Sequence, residues 1–258
     1  SALGVMQKKR DASIASATFL TTLLDFSDPG DLGVLLDEEE VDMREAQVSK
    51  DGVMSGKSLA LGFNMLRSND LIWSYVVNNY LKGKTPPPFD LLYWNSDPIN
   101  LPATMYNTYI REMYVNNSLS QPGGFTCCDK PVELNKVKTP MYFLSAIEDH
   151  IAPWKTTFLG TDLVGGDVEF VLGGSGHIAG VINPPAKNKR NYWADGEMGQ
   201  SADHWLETAT DHTGSWWNHW HQWLDQHDSK QVPARQIETN TEFKEIVPAP
   251  GDYVRVRL

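Results

Sequence analysis

The sequence has little cysteine: two residues in 258, and they are neighbours, Cys127 and Cys128. Adjacent cysteines cannot form an ordinary staple with each other, so the chain reads as cytoplasmic and disulfide-free rather than as a secreted disulfide scaffold. It has no long apolar run. Its apolar stretches fall far short of the ~20 residues a membrane-spanning helix needs, so it is not expected to be transmembrane. No charged-then-apolar leader opens it, which argues against a signal peptide. Basic charge is also scarce: 22 Lys and Arg stand against 33 Asp and Glu, a formal net charge of −11. An acidic surface repels phosphate backbones, which argues against a nucleic-acid partner. The basic residues group only at Lys8–Arg10 and Lys187–Arg190, and an anionic substrate would have to be met by such a local patch.

What is present is ordinary globular material. An apolar fraction of 41% is enough to bury a sizeable core. The opening SALGVMQKKR reads as the end of a helix already under way, as though the sequence begins inside a domain. Residues 13–26 are apolar and β-branched and read as a buried parallel strand, broken by DPGDLG. LDEEEVDMREA (35–45) predicts an exposed acidic helix, and the polar SKDGVMSGKS (49–58) a mobile connection. Apolar residues then recur at helical spacing around Leu66, Ile72, Trp73, Val76 and Tyr80, with Ser68-Asn69-Asp70 as an N-cap for a second helix. TPPPFD (85–90) is a stiff linker. A further amphipathic helix carries Tyr106, Tyr109, Met113 and Tyr114. The block 28–130 is thus a mostly helical insertion between residues 1–27 and a second core portion, 131–258.

Strand signals return at Met141–Ala146 and Val168–Leu172, with KTTFLGTDL as a crossover helix between them. This is a βαβ unit of an α/β fold, whose ligands gather at the carboxyl ends of parallel strands. The first strand ends at Glu148 and Asp149, and the second runs into the turn GGSGHIAG, which holds His177. A glycine-flanked histidine exposed at a sheet edge can take a proton from a nucleophile and return it to a leaving group. A carboxylate on the preceding strand can orient that imidazole, and the order acid then histidine is that of the α/β-hydrolases. Either fragment alone is also what an ordinary strand-end turn contains. Glu148 competes with Asp149 for the acid role, which falls to Asp149 if Glu148 points to solvent.

No G-x-S-x-G nucleophile box precedes the acid. Ser175 falls after it and reads as a turn residue, and Cys127 and Cys128 follow a Gly-Gly turn late in the helical block. The nucleophile is therefore expected upstream of Ser1, and residues 1–258 alone are expected to be inert. No metal is expected either. His204, His212, His219, His221 and His227 do not place three on one helical face, and a helix over about 202–228 packed by Trp216, Trp217, Trp220 and Trp223 is the plainer reading.

Several runs resemble the bacterial polyhydroxyalkanoate synthases. They are Glu148-Asp149-His150-Ile151, NDLIWSYVVNNYLKGKTPPPFDLLYWNSD (69–97), GHIAGVINPPAKNKRNYW (176–193), GSWWNHWHQWL (214–224) and VPAPGDYV (247–254). The resemblance extends over nearly the whole chain and is nearest to the class I enzymes, which polymerise short 3-hydroxyacyl-CoA thioesters. It implies the carboxy-terminal part of a catalytic domain with an α/β-hydrolase core, in which 28–130 is an inserted cap. A cysteine in a G-x-C-x-G-G box attacks the thioester, His177 activates it, and Asp149 either orients His177 or serves as base on the substrate hydroxyl. It further implies release of free CoA, no metal or redox cofactor, a growing polyester chain as partner, a homodimer, and a place at the surface of cytoplasmic polyester granules. CoA-contacting residues stay unassigned, Lys187, Lys189 and Arg190 being conceivable contacts or solvated loop charges. A serine esterase, lipase or polyester depolymerase on the same fold, and a non-catalytic granule-associated module, are the alternatives.

Overall fold

Two neighbouring strands, β6 (Met141–Ala146) and β7 (Val168–Gly173), form the centre of a five-stranded sheet in the computed structural model. The structure describes residues 1–9, 13–86, 97–227, 230–234, 242 and 246–256. The sheet order is β1-β6-β7-β8-β9, with β1 spanning Ala17–Leu20, β8 Asn191–Ala194 and β9 Thr210–Thr213. β1, β6 and β7 run parallel, with Phe19 opposite Phe143 and Phe143 opposite Phe170. β8 and β9 extend the sheet antiparallel. The mixed sheet with helices is an α/β architecture.

Every residue of β6 is buried because both faces are covered, which is why its sequence is apolar rather than alternating except at Ser145, whose hydroxyl pairs with that of Thr157. Met141 and Phe143, with Phe170 and Leu172 of β7, face one core. It is filled by Trp154 and Phe158 of helix α5 (Trp154–Leu163), Trp205 of α7 (Ala202–Thr208), and Leu23, Leu24 and Phe26. Tyr142, Leu144 and Val171 face the other core, where helix α8 (Trp217–His227) and the preceding Trp216 pack. Trp216, Trp220 and Trp223 recur at helical spacing, so one face of the chain here is aromatic and the opposite face, with His221 and Asp225, is exposed.

The chain divides into two compact units. One comprises Ser1–Gln47 and Asn107–Ser229 and contains the five-stranded sheet; the other comprises Val48–Tyr106 and Lys230–Leu258. The first begins with α1 (Ala2–Lys8), whose Lys8 pairs with Glu133. Helix α2 (Glu38–Asp51) begins in it, and Arg111 reaches both Asp42 and Glu45 of α2. Phe26, Tyr109 and Tyr114 pack edge to face there, and Met113 joins the core. The second unit holds a short antiparallel pair, β2 (Val53–Met54) with β3 (Leu101–Pro102), and helix α3 (Gly56–Leu66). Wide helical turns follow over Asn69–Trp73 and Val76–Leu81. Helix α4 (Ala103–Thr108) links the two units, and its Tyr106 is buried.

Four expectations are corrected. The strand read over 13–26 is only four residues long, half-buried, and lies at the sheet edge among the described residues. Thr21 turns to φ +44 and ends it, and the apolar residues beyond enter the core as irregular chain. The segment 49–58 is regular: α2 continues to Asp51, Gly52 at φ +77 terminates it, and β2 follows. Ser68 makes no cap hydrogen bond and is already helical; the break falls at Arg67, whose guanidinium pairs with Asp70. The single helix over 202–228 is two helices separated by β9. Thr210 and Thr213 favour extended backbone there, and Gly214 at φ +106 makes a turn where a Cβ would meet Asn188 Oδ1 at 2.1 Å. The linker at 85–90 lies largely outside the described residues.

Candidate active site

β6 and β7 end side by side, and the chain beyond each end turns toward the other. After β6, Ile147 N–H donates to Gly173 O and Glu148 N–H to Ser175 O, so the two exits are tied together. Glu148 is exposed and Asp149 is buried. Asp149 Oδ1 accepts hydrogen bonds from the N–H groups of Ile151 (2.8 Å) and Ala152 (2.9 Å). These fix the carboxylate and leave Oδ2 directed at His177.

His177 is the first residue of α6 (His177–Val181). Ser175 sits at φ +91 in the turn between β7 and α6. Gly180 places this short helix against the end of β6: a Cβ there would meet the Ala146 Cβ at 2.7 Å. Trp216 Nε1 donates to Gly180 O (3.0 Å) and Trp217 Nε1 to Val181 O (3.0 Å). The tryptophans read in the sequence as plain packing therefore also hold the last carbonyls of the helix that carries His177. Beyond the spacing of the tryptophans, no local sequence signal marks this role.

His177 Nδ1 lies 2.7 Å from Asp149 Oδ2. The Asp149 side chain is fully buried and that of His177 is 31% exposed. A carboxylate only accepts, so Nδ1 carries the proton and Nε2, on the other edge of the ring, presents a lone pair. An imidazole held in this tautomer by a buried carboxylate can accept a proton at Nε2 and is stabilised as the cation that results.

Cys127 and Cys128 lie elsewhere, on a hairpin formed by β4 (Thr126–Cys127) and β5 (Lys130–Pro131). Cys128 and Asp129 form its tight turn, at φ +49 and +58. Partial burial, and then the neighbouring Cys128 thiol, push the Cys127 thiol above its ordinary value, the opposite of an activated nucleophile. Lys187, Lys189 and Arg190 are exposed on the loop before β8.

The histidines yield a grouping that sequence spacing did not suggest. His219 lies beside Glu169 of β7 and Asp195, and His212 of β9 lies beside Asp195. Burial raises the Glu169 carboxyl and lowers His219; Asp195 raises both.

The chain is thus an α/β protein with a histidine held by a buried carboxylate at the carboxyl ends of adjacent parallel strands, an arrangement able to exchange a proton. No family model matches the chain. Comparison with characterised proteins places it more narrowly. It is 46% identical over 99% of its length to the poly(3-hydroxyalkanoate) polymerase subunit PhaC of Cupriavidus necator, and 48% identical over 96% to that of Rhizobium meliloti. It is 46% identical over 95% to the poly(3-hydroxyalkanoate) polymerase of Methylorubrum extorquens. The chain belongs to the poly(3-hydroxyalkanoate) polymerase family, and it spans 40–44% of the length of these relatives.

Proposed function

We propose that this chain forms part of an enzyme that polymerises 3-hydroxyacyl-CoA thioesters into polyhydroxyalkanoate with release of CoA. The observation that carries the reading is the His177–Asp149 pair, with Nδ1 engaged by a buried carboxylate and Nε2 left for proton exchange. The nucleophile is a cysteine from outside residues 1–258, on the turn that an α/β-hydrolase fold places beside the histidine. His177 Nε2 takes the thiol proton as the thiolate attacks the thioester carbonyl. The carbonyl–sulfur bond to CoA then breaks, and the imidazolium returns the proton to the departing CoA thiolate. In the next transfer His177 takes the proton of the 3-hydroxyl as it attacks the acyl-cysteine; the carbonyl–sulfur bond to that cysteine breaks, and the imidazolium returns the proton to its thiolate. Asp149 acts as the orienting carboxylate, because its side chain is fully buried and both its oxygens are engaged.

On this reading residues 1–27 and 131–258 belong to the α/β-hydrolase core and 28–130 to an inserted helical cap. The active form is a homodimer at the surface of cytoplasmic polyester granules. Among the described residues no helix is long and apolar enough to cross a membrane. Chemistry at His177 needs no metal or redox cofactor.

The test is to incubate the intact protein with 3-hydroxybutyryl-CoA, identify the products, and map the acylated residue by peptide mass. Free CoA, polyester and an acylated cysteine are expected. Free 3-hydroxybutyrate from an acylated serine would make the protein a hydrolase, and no turnover would leave it a binding module.

A further inference from the structure

The sheet face beneath α8 carries a polar cluster that acyl transfer does not use. Glu169 is the second residue of β7 and lies on the same face as Val171, toward α8. It is near the strand's amino end, about 20 Å along an extended chain from the turn residue Ser175 at ~3.3 Å per residue. Asp195 follows β8, His212 is in β9 and His219 is in the first turn of α8. One ligand atom each of Glu169, Asp195 and His219 all lie within 4.8 Å of one another.

The spacings within the cluster carry the argument. His219 Nε2 is 3.8 Å from Glu169 Oε1, and His212 Nε2 is 3.5 Å from Asp195 Oδ2. Both exceed the ~2.7–3.2 Å of a good N–H···O hydrogen bond. His212 Nε2 is buried and has no hydrogen-bond partner among the described residues. Such an atom is costly to leave unsatisfied. Two ligands held tetrahedrally at about 2.1 Å from one ion stand roughly 3.4 Å apart, close to these separations.

The surroundings of the rings fit the same picture. His219 Nδ1 faces the hydroxyl of buried Tyr142 at 3.1 Å. If Nδ1–H donates to that oxygen, the Nε2 lone pair points into the cluster, as the outer partner of a metal-bound histidine ordinarily arranges. Tyr192 stacks on His212 with centroids 5.0 Å apart and planes 14° from parallel, holding that ring in place. Two carboxylates and two neutral imidazoles supply two negative charges to a dication. The Asp195 side chain is 65% exposed, which gives an ion a way in.

We propose that Glu169, Asp195 and His219 bind one divalent transition-metal cation of the zinc type, with His212 reaching the ion from beside Asp195 as its fourth ligand. The ion has a structural role: it joins β7, the exit of β8, β9 and α8, and so pins the antiparallel extension and the tryptophan helix to the parallel sheet.

The test uses the intact protein, stripped with chelator and titrated with Zn²⁺ by calorimetry and with Co²⁺ by visible absorption. One equivalent is expected to bind and to raise the melting temperature. The cobalt form should show d–d bands with no thiolate charge-transfer band. Glu169→Gln, Asp195→Asn and His219→Asn should each weaken binding by about tenfold or more, and the double variant Cys127→Ser, Cys128→Ser should not. Asp195→Asn changes an exposed side chain and keeps the test decisive if a more buried variant misfolds. No zinc uptake, or uptake indifferent to the folded Glu169→Gln and Asp195→Asn variants, overturns the proposal. So does a thiolate band that disappears with the cysteines. Because the readouts are binding and melting, failure here leaves the acyl-transfer reading untouched.

Discussion

Replacing Asp149 with asparagine removes one charge from the site and alters little else. Oδ1 of an asparagine still accepts the N–H groups of Ile151 and Ala152, now at 2.8 and 2.9 Å, so the turn after β6 survives. Those two bonds place the new NH₂ where Oδ2 stood, 2.7 Å from His177 Nδ1. An NH₂ donates, so Nδ1 must accept, and the ring proton moves to Nε2, the atom that has to receive a proton from the nucleophile. The imidazolium also loses its buried counter-charge. Loss of the orienting carboxylate in a triad of this geometry costs about 10³- to 10⁴-fold in kcat, roughly 4–5.5 kcal/mol of barrier. Stability should fall by only about 1 kcal/mol. Asp149→Ala, by contrast, leaves two N–H groups without their acceptor and should cost about 1–3 kcal/mol per group left buried and unsatisfied. The assay is CoA release from 3-hydroxybutyryl-CoA, with circular dichroism and melting as the check on folding. A folded Asp149→Asn enzyme within about tenfold of the wild-type rate refutes the orienting role.

Gly180→Ala puts a Cβ against the Ala146 Cβ and should push α6 off the end of β6. The expected cost is about 1–3 kcal/mol in stability with a disproportionate loss of kcat; unchanged melting and rate would show that the helix has slack. Trp216→Phe keeps an aromatic ring but removes the donor to Gly180 O. It should cost about 1–3 kcal/mol on denaturant unfolding and lower kcat, whereas His221→Ala, on the exposed side of α8, should do neither. Burial, and then Asp195, raise the Glu169 carboxyl. The folded state therefore holds a proton that the unfolded state has already released, and stability falls as pH rises from the ordinary carboxylate range through the raised value. Measured in chelator, Glu169→Gln should gain on the wild type as pH rises from about 4 toward neutrality; a difference that is flat or falls with pH contradicts the burial argument.

The central βαβ unit was legible because its strands are buried on both faces. Met141–Ala146 is apolar but for Ser145, and its end is marked by charge and proline. Asp149 and His177 could be named for the same reason, since strand ends and glycine turns leave local signals. The tie between Glu148 and Asp149 could not be broken in sequence, because which of two adjacent carboxylates turns inward is set by the N–H groups of Ile151 and Ala152. β8 and β9 were missed. Each is four residues long, and β9 reads Thr-Asp-His-Thr with no apolar alternation, so pairing across the sheet rather than local pattern makes it a strand. The grouping of Glu169, Asp195, His212 and His219 was invisible for a related reason. Its members come from four separate elements that only the sheet brings together.

The most direct test of the account is the His177→Ala variant of the intact protein, compared with the wild type for CoA release and polymer formation from 3-hydroxybutyryl-CoA. The account predicts a folded protein that has lost activity by about 10³-fold or more. A His177→Ala protein that still releases CoA and makes polymer at near the wild-type rate would contradict it.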